Sequence, residues 1–228
     1  MKKNYIRKLV VLAMFSALAY LCVLVIPHIK VAFLTFDIKD AVITIAAMIY
    51  GPVAGAVISL IVSFFEMISV SSTGFWGFLM NFLSSAIFAC SASTIYRYVP
   101  KLKKSLNGAI VGLSAAVVLT TGLMMPLNML ITPIYTGASV GYIIQIIPTL
   151  LLPFNFVKSL INAALVLVLY KPISTALKKA HVLEGGAEKY KFDKTSIWLT
   201  VVGGLVIIAC VTVFFVLMGG SIELIGQK

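Results

Sequence analysis

Long apolar runs recur along almost the whole of this chain, and they constrain its fold more than any other feature. The 228 residues are 61% hydrophobic and only 11% charged, which leaves too few polar side chains to cover a water-soluble domain of this size. A helix needs about 20 apolar residues to cross a bilayer, so the chain has room for about seven such helices. The composition therefore predicts an all-α integral membrane protein.

Turns, prolines and polar loops divide the apolar sequence into seven predicted helices. The second is short, and the apolar segment before it, residues 31–40, is predicted to fold back as a loop into one half of the bundle. Irregular backbone at membrane depth must be covered by protein. The predicted helices are 8–26, 39–50, 52–70, 75–96, 107–131, 150–171 and 197–218.

The basic residues predict how the chain is oriented. The net charge is +11, but the lysines and arginines lie in loops between apolar runs, which indicates membrane topology and not nucleic-acid binding. Most of the 18 basic residues fall within 2–8, 97–104 and 171–194. These three segments share one side of the membrane if the helices alternate in direction, and the positive-inside rule places that side in the cytoplasm. A cytoplasmic N-terminus is therefore predicted.

Lys158 is the most informative polar residue inside an apolar run. It lies in residues 141–170, a stretch with no other charged side chain. Asn155 and Asn162 precede and follow it at helical spacing, so the three share one face. An amine in a bilayer costs on the order of 3 kcal/mol or more. We therefore predict that this face lines a binding site.

Other polar side chains are predicted at the same depth, in the outer half of the bundle. They are Asp37, Asp40, Glu66, Asn81 and Asn128. The inner halves of the helices are almost purely apolar, so the pattern predicts a polar cavity that opens outward. Three simpler roles remain open: an asparagine can join two helices, Glu66 can pair with Lys158, and Asp40 can sit in a solvated helix start.

The neighbours of these polar groups indicate what the cavity binds. They include many aromatic residues: Phe33, Phe36, Phe75, Trp76, Tyr135 and Phe154. Asparagine both donates and accepts hydrogen bonds, whereas lysine only donates. Such a mixture favours a flat, mostly neutral, aromatic ligand with a hydrogen-bonding edge. A strongly anionic ligand would call for more lysines and arginines than this half offers.

The sequence carries no complete signature of a catalytic site. The chain has no His-Glu-x-x-His motif, no Cys-x-x-Cys pair and no nucleotide-binding Gly-x-x-x-x-Gly-Lys-Ser/Thr loop. Its cysteines, Cys22, Cys90 and Cys210, are isolated within apolar runs. The sequence thus predicts neither an enzyme nor a metal or cofactor site.

Several segments resemble a known family. Residues 35–40, 50–55 and Glu66 resemble the substrate-binding S components of energy-coupling-factor (ECF) vitamin transporters. Residues 126–128, 132–135 and 152–158 are similar to the riboflavin-specific branch, and the Pro-Phe-Asn-x-x-Lys stretch carries most of this likeness.

The resemblance implies a six-helix bundle in a bacterial cell membrane, with a long first loop over an outward-facing pocket for riboflavin. It implies that Asn128, Asn155 and Lys158 contact the isoalloxazine ring. Other expected substrate-binding residues are Asp37, Phe36, Glu66, Asn81 and Tyr135.

On the first helix, Ala13 and Ala17 match the small residues that meet a transmembrane coupling subunit. Two ATPase subunits would supply the energy.

The chain departs from the family in its C-terminal part. Residues 1–175 are expected to form the six-helix substrate-binding domain, 176–196 a basic cytoplasmic linker, and 197–228 an additional transmembrane helix and tail. Three other functions remain open: an S component for another vitamin such as pantothenate, a membrane enzyme acting on lipids, and a structural subunit without a ligand.

Overall fold

The computed structural model describes residues 2–25, 29–31, 33–179, 194–218 and 222–224, and most of these residues are helical. The helices are α1 Lys2–Val25, α2 Lys39–Tyr50, α3 Pro52–Ser69, α4 Gly74–Tyr98, α5 Leu106–Thr136, α6 Val140–Ile146, α7 Leu152–Lys179 and α8 Lys194–Met218. The strands are β1 Ile29–Val31, β2 Leu34–Phe36 and β3 Ile222–Leu224. The predicted all-α membrane fold is confirmed.

Five helical stretches are long and apolar enough to cross a membrane. They are Tyr5–Val25, Pro52–Ser69, Gly74–Tyr98, Leu106–Thr136 and Val140–Lys179. Each turns large apolar side chains outward, as a surface that faces lipid requires. The predicted linker 176–196 begins within α7, and residues 180–193 lie outside the described part of the chain.

The short helix α2 is the centre of the bundle. Its 12 residues span about 18 Å, less than the hydrocarbon thickness of a bilayer. It contacts α1, α3, α4 and α7, and every residue from Lys39 to Met48 is buried. At its C-terminal end the Arg97 guanidinium of α4 donates to the carbonyl oxygens of Met48 and Ile49, which replaces hydrogen bonds that a helix end lacks.

The segment before α2 contains a β-hairpin, where the sequence analysis predicted a loop. β1 and β2 pair antiparallel, and β3 pairs antiparallel with the other edge of β1, which gives the strand order β2-β1-β3. Strand pairing satisfies backbone groups that cannot reach water within an apolar region. The hairpin formed by β1 and β2 therefore continues the short α2 toward one end of the bundle.

The sixth predicted helix begins ten residues earlier than expected. α6 and α7 form one continuous stretch through a π-helical segment, Ile147–Leu151. Pro148 lies in this segment, and a proline inside a helix lacks an N–H and clashes with the preceding turn. The wider π-helical turn accommodates it without ending the helix. α5 likewise continues through Pro126 and Pro133 and ends at Gly137, whose φ of 71° is left-handed.

Close helix packing depends on glycine at two positions. A Cβ atom on Gly55 would lie 2.7 Å from the Ala47 Cβ, and one on Gly112 would lie 2.7 Å from the Ala92 carbonyl oxygen. Small residues let membrane helices approach in this way. These contacts join α3 to α2 and α5 to α4.

We expect Gly55→Ala to lower the thermal unfolding midpoint of the detergent-purified protein. The added methyl group forces α2 and α3 apart, at a cost of about 1–3 kcal/mol. The matched control is Gly122→Ala on α5, where a Cβ meets nothing within 4 Å and the helix propensity improves. Equal midpoints for the two variants would contradict the packing described here.

Candidate functional site

A polar cavity lies at the end of the bundle where the hairpin, the α3–α4 turn and the ends of α5 and α7 meet. The part of the cavity that the centre of a water molecule can reach has a volume of about 100 Å³. Six of the eight predicted substrate-binding residues line this cavity: Glu66, Asn81, Asn128, Tyr135, Asn155 and Lys158. Residues far apart in the sequence thus meet at one depth, as the sequence analysis predicted.

A cluster of buried charges forms the floor beneath the cavity. Lys158 Nζ donates to Asp37 Oδ2 at 2.8 Å and lies 4.0 Å from Asp40 Oδ2. Lys39 Nζ lies 3.5 Å from the same Asp37 oxygen and donates to Glu66 Oε2. All five side chains are buried. We call these three carboxylates and two ammonium groups the charge cluster.

Hydrogen bonds to neutral groups complete the charge cluster. The Ser85 hydroxyl of α4 donates to Asp40 Oδ1. Asn162 of α7 accepts from the Ala41 backbone N–H at 2.9 Å and donates to the Asp37 carbonyl oxygen at 3.1 Å. Asn162 therefore ties α7 to the start of α2 and supports the cluster.

Two of the three amides on the cavity wall, Asn128 and Asn155, are held by their own helices. Asn128 Nδ2 donates to the Met124 carbonyl oxygen at 2.7 Å, and its Oδ1 accepts from the Thr132 hydroxyl at 2.9 Å. Asn155 Nδ2 donates to the Leu151 carbonyl oxygen at 2.8 Å, at the end of the π-helical segment. An amide has two donor hydrogens and an oxygen with two lone pairs, so both retain capacity for a ligand.

Apolar and aromatic side chains form the remaining walls. Tyr135 meets Phe33 of the hairpin edge to face, with ring centroids 6.2 Å apart. Met80, Met124 and Phe154 line the cavity, together with hydroxyl-bearing residues of the α3–α4 turn. This mixture suits a ligand that is largely apolar and has a few polar atoms in fixed places.

Two predicted substrate-binding residues do not line the cavity. Asp37 lies below it and binds Lys158, and Phe36 packs beside a buried apolar cluster that includes Phe154 and Val157. Glu66 pairs with Lys39 and not with Lys158, the partner considered from the sequence. Asp40 is also not part of a solvated helix start, because it is only 4% exposed.

Lys39 was not predicted as a site residue. It is fully buried between Asp37 and Glu66. The alternation of opposite charges in Asp37-x-Lys39-Asp40 is the signal that could have revealed it. The cavity-lining hydroxyls of Ser71, Thr73 and Ser84 carried no such signal.

Ala13 and Ala17 lie together on the exposed side of α1. The opposite side of that helix, with Phe15 and Ala19, is buried in the bundle. The two alanines therefore form a smooth patch that another membrane helix can approach closely.

Comparison with known proteins identifies the family. The model of the family described as "ECF transporter, substrate-specific component" matches residues 7–173. The chain therefore belongs to the substrate-specific components of ECF transporters, a family of membrane transport proteins and not of enzymes, and the resemblance seen in the sequence is confirmed.

Individual relatives agree with this assignment. The chain is 28% identical over 182 residues to the riboflavin transporter RibU of Staphylococcus aureus (strain TCH60), covering 76% of this chain and 93% of that protein. It is 27% identical over 192 residues to the riboflavin transporter FmnP of Bacillus subtilis (strain 168), covering 78% and 98%.

A solved structure shows the same fold. It is described as "Structure and mechanism of the S component of a bacterial ECF transporter" and matches with a TM-score of 0.61 and 29% identity. The match covers 75% of this chain and 97% of that one.

We expect Lys39→Met to destabilise the protein strongly, because it leaves Glu66 buried without a cation. Removing one partner of a buried ion pair costs about 3–5 kcal/mol. The thermal unfolding midpoint in detergent measures the effect. The double variant Lys39→Met/Glu66→Leu should recover much of the loss, since Asp37 keeps Lys158 as its partner. Near-native stability of Lys39→Met alone would contradict the assigned pairing.

Proposed function

We propose that this protein is the high-affinity riboflavin-binding subunit of an ATP-driven ECF importer and captures the vitamin from outside the cell. The observation that carries the proposal is the meeting of Lys158, Asn128 and Asn155 on one cavity wall beside aromatic and methionine side chains. The relatives named as riboflavin transporters, matched over 93% and 98% of their own lengths, support it.

The chemistry of riboflavin fits these groups. Its flat ring system is largely apolar, and its pyrimidine edge carries carbonyl acceptors beside an N–H donor. Lys158 can donate to a carbonyl, while each asparagine can both donate and accept. The hydroxyls of Ser71 and Thr73 and the Glu66 carboxylate suit the polyhydroxyl side chain of the vitamin.

The charges favour the vitamin over its phosphorylated form. Lys158 is the only cationic side chain among the described residues that line the cavity, and Asp37 already lies 2.8 Å from it. A phosphate group would therefore find little compensation. Phosphate sites in proteins use several donors or cations.

The orientation of the protein follows from its basic residues. Exposed Arg7, Lys8, Lys101, Lys103 and Lys104 lie at the end of the bundle opposite the cavity. The positive-inside rule places that end in the cytoplasm, so the cavity faces outward. The Ala13–Ala17 patch would contact the coupling subunit, and two ATPase subunits would supply energy that this chain, without a nucleotide-binding loop, cannot provide.

We expect the detergent-purified protein to bind riboflavin at about one molecule per chain and to quench its fluorescence. Lys158→Met should weaken binding about tenfold to a hundredfold, because a hydrogen bond to a charged group contributes about 1.5–3 kcal/mol. Fluorescence titration measures both. Tighter binding of pantothenate, or folded protein that quenches no riboflavin, would contradict the proposal.

A matched control separates this effect from a general loss of charge. Lys101→Met removes an exposed lysine at the opposite end of the bundle and should leave the affinity unchanged. Thermal unfolding of each variant shows whether the protein remains folded. If Lys158→Met lowers the unfolding midpoint but not the affinity, Lys158 serves the charge cluster alone.

We expect Ala13→Trp to leave riboflavin binding unchanged and to abolish uptake by cells, because the indole ring holds the coupling subunit away from α1. The control is Val118→Trp on α5, which places the same ring at another lipid-facing position, 68% exposed. Cellular uptake of labelled riboflavin is the measurement. Normal uptake by Ala13→Trp would show that the coupling subunit docks elsewhere.

A further inference from the structure

The C-terminal part of the chain reaches the hairpin beside the cavity. The family match ends at residue 173, whereas α8 begins at Lys194 and β3 at Ile222. β3 nevertheless pairs with β1 and makes it the central strand of the sheet. An addition beyond the matched family region is therefore joined to a wall of the binding site.

The hairpin that β3 extends is coupled directly to the site. Leu34 and Thr35 of β2 line the cavity, and so does Phe33 in the turn before them. Asp37 follows β2 immediately and binds Lys158 at 2.8 Å. A shift of the hairpin would therefore move both the cavity wall and the carboxylate beneath the ligand-binding lysine.

The helix α8, which precedes β3 in the chain, is packed tightly against α7. Gly203 of α8 packs so closely on α7 that a Cβ there would lie 2.7 Å from Val168 Cγ2. Cys210 is buried in one apolar cluster with Phe154, Val157 and Ile161 of α7. Since α7 also carries Asn155 and Lys158, α8 is fixed to the helix that supplies the ligand-binding groups, and only residues 219–221 separate α8 from β3.

We propose that the C-terminal segment, α8 with β3, positions the hairpin against the cavity and thereby slows ligand release. This inference rests on the proposed function for the identity of the ligand. Without β3, one edge of β1 would carry unpaired backbone N–H and C=O groups. With it, β1 is paired along both of its edges, and moving the hairpin away from α8 requires breaking the β1–β3 ladder.

The register of the strands gives the pairing a sequence-specific element. Lys30 stands opposite Glu223 in the β1–β3 ladder. Residues of opposite charge at directly opposed positions stabilise strand pairs. Glu223 is also the only acidic residue after residue 193. The single negative side chain of this part of the sequence is therefore the one that stands opposite Lys30.

The first experiment compares riboflavin dissociation rates by stopped-flow fluorescence for three proteins: the full chain, a chain ending at Met218, and a control ending at Leu224. The chain ending at Met218 should release riboflavin at least about fivefold faster, because it loses the whole β1–β3 ladder. A single cross-strand side-chain pair can contribute about 1 kcal/mol, which already corresponds to a factor of about five. The control should match the full chain. Equal rates for all three would overturn the proposal.

Charge reversal tests the register without shortening the chain. Lys30→Glu and Glu223→Lys should each speed release about two- to fivefold, and the double variant should restore the original rate. Lys228→Glu is the control for a charge change elsewhere in the tail. A double variant as fast as the single ones would overturn the pairing.

A cross-linking experiment separates this inference from the proposed function. In a background with Cys22, Cys90 and Cys210 replaced by alanine, Lys30→Cys with Glu223→Cys should form a disulfide on mild oxidation, because paired strands bring Cα atoms within bonding range. Lys30→Cys with Lys101→Cys should not, because Lys101 lies at the opposite end of the bundle. A missing 30–223 disulfide overturns the inference, whereas a disulfide in folded protein that binds no riboflavin refutes only the proposed ligand.

Discussion

The neutralisation of two lysines inside an apolar bundle is the constraint on which the rest of this structure depends. Lys39 is fully buried and Lys158 is only 6% exposed, so each requires a carboxylate within a few ångströms. Asp37, Asp40 and Glu66 provide these partners from the start of α2 and from α3. Because α4 and α7 add Ser85 and Asn162, the cluster joins four helices at one depth.

The same cluster connects stability with binding. The Lys158 ammonium group contacts Asp37 and also faces the cavity. A ligand that accepted a hydrogen bond from it would therefore extend the network of the charge cluster. The short α2 makes this possible. Since it covers only part of the membrane thickness, the remaining depth is occupied by a hairpin and a cavity, whereas a full-length helix would have filled that space.

The sequence revealed those parts of the site where a polar residue interrupts an apolar run. Lys158, Asn128 and Asn155 were found this way, and their common depth followed from the alternation of helices. Lys39 was not found, because a charge at the end of a loop looks the same whether it faces water or a buried aspartate. The hairpin was missed because strands of three residues give too little alternation to detect, and the partner of Glu66 depended on side-chain directions that sequence does not specify.

The widened turn at Ile147–Leu151 has a consequence for how this protein can vary. A turn of this kind carries one residue more than an ordinary helical turn, and successive helical residues differ in direction by about 100°. Loss of a single codon there would restore an ordinary turn, so α6 and the helix from Leu152 onward would both keep their directions. The chain thus contains a place where gene length can change by one codon, while the helical faces on either side are inherited intact.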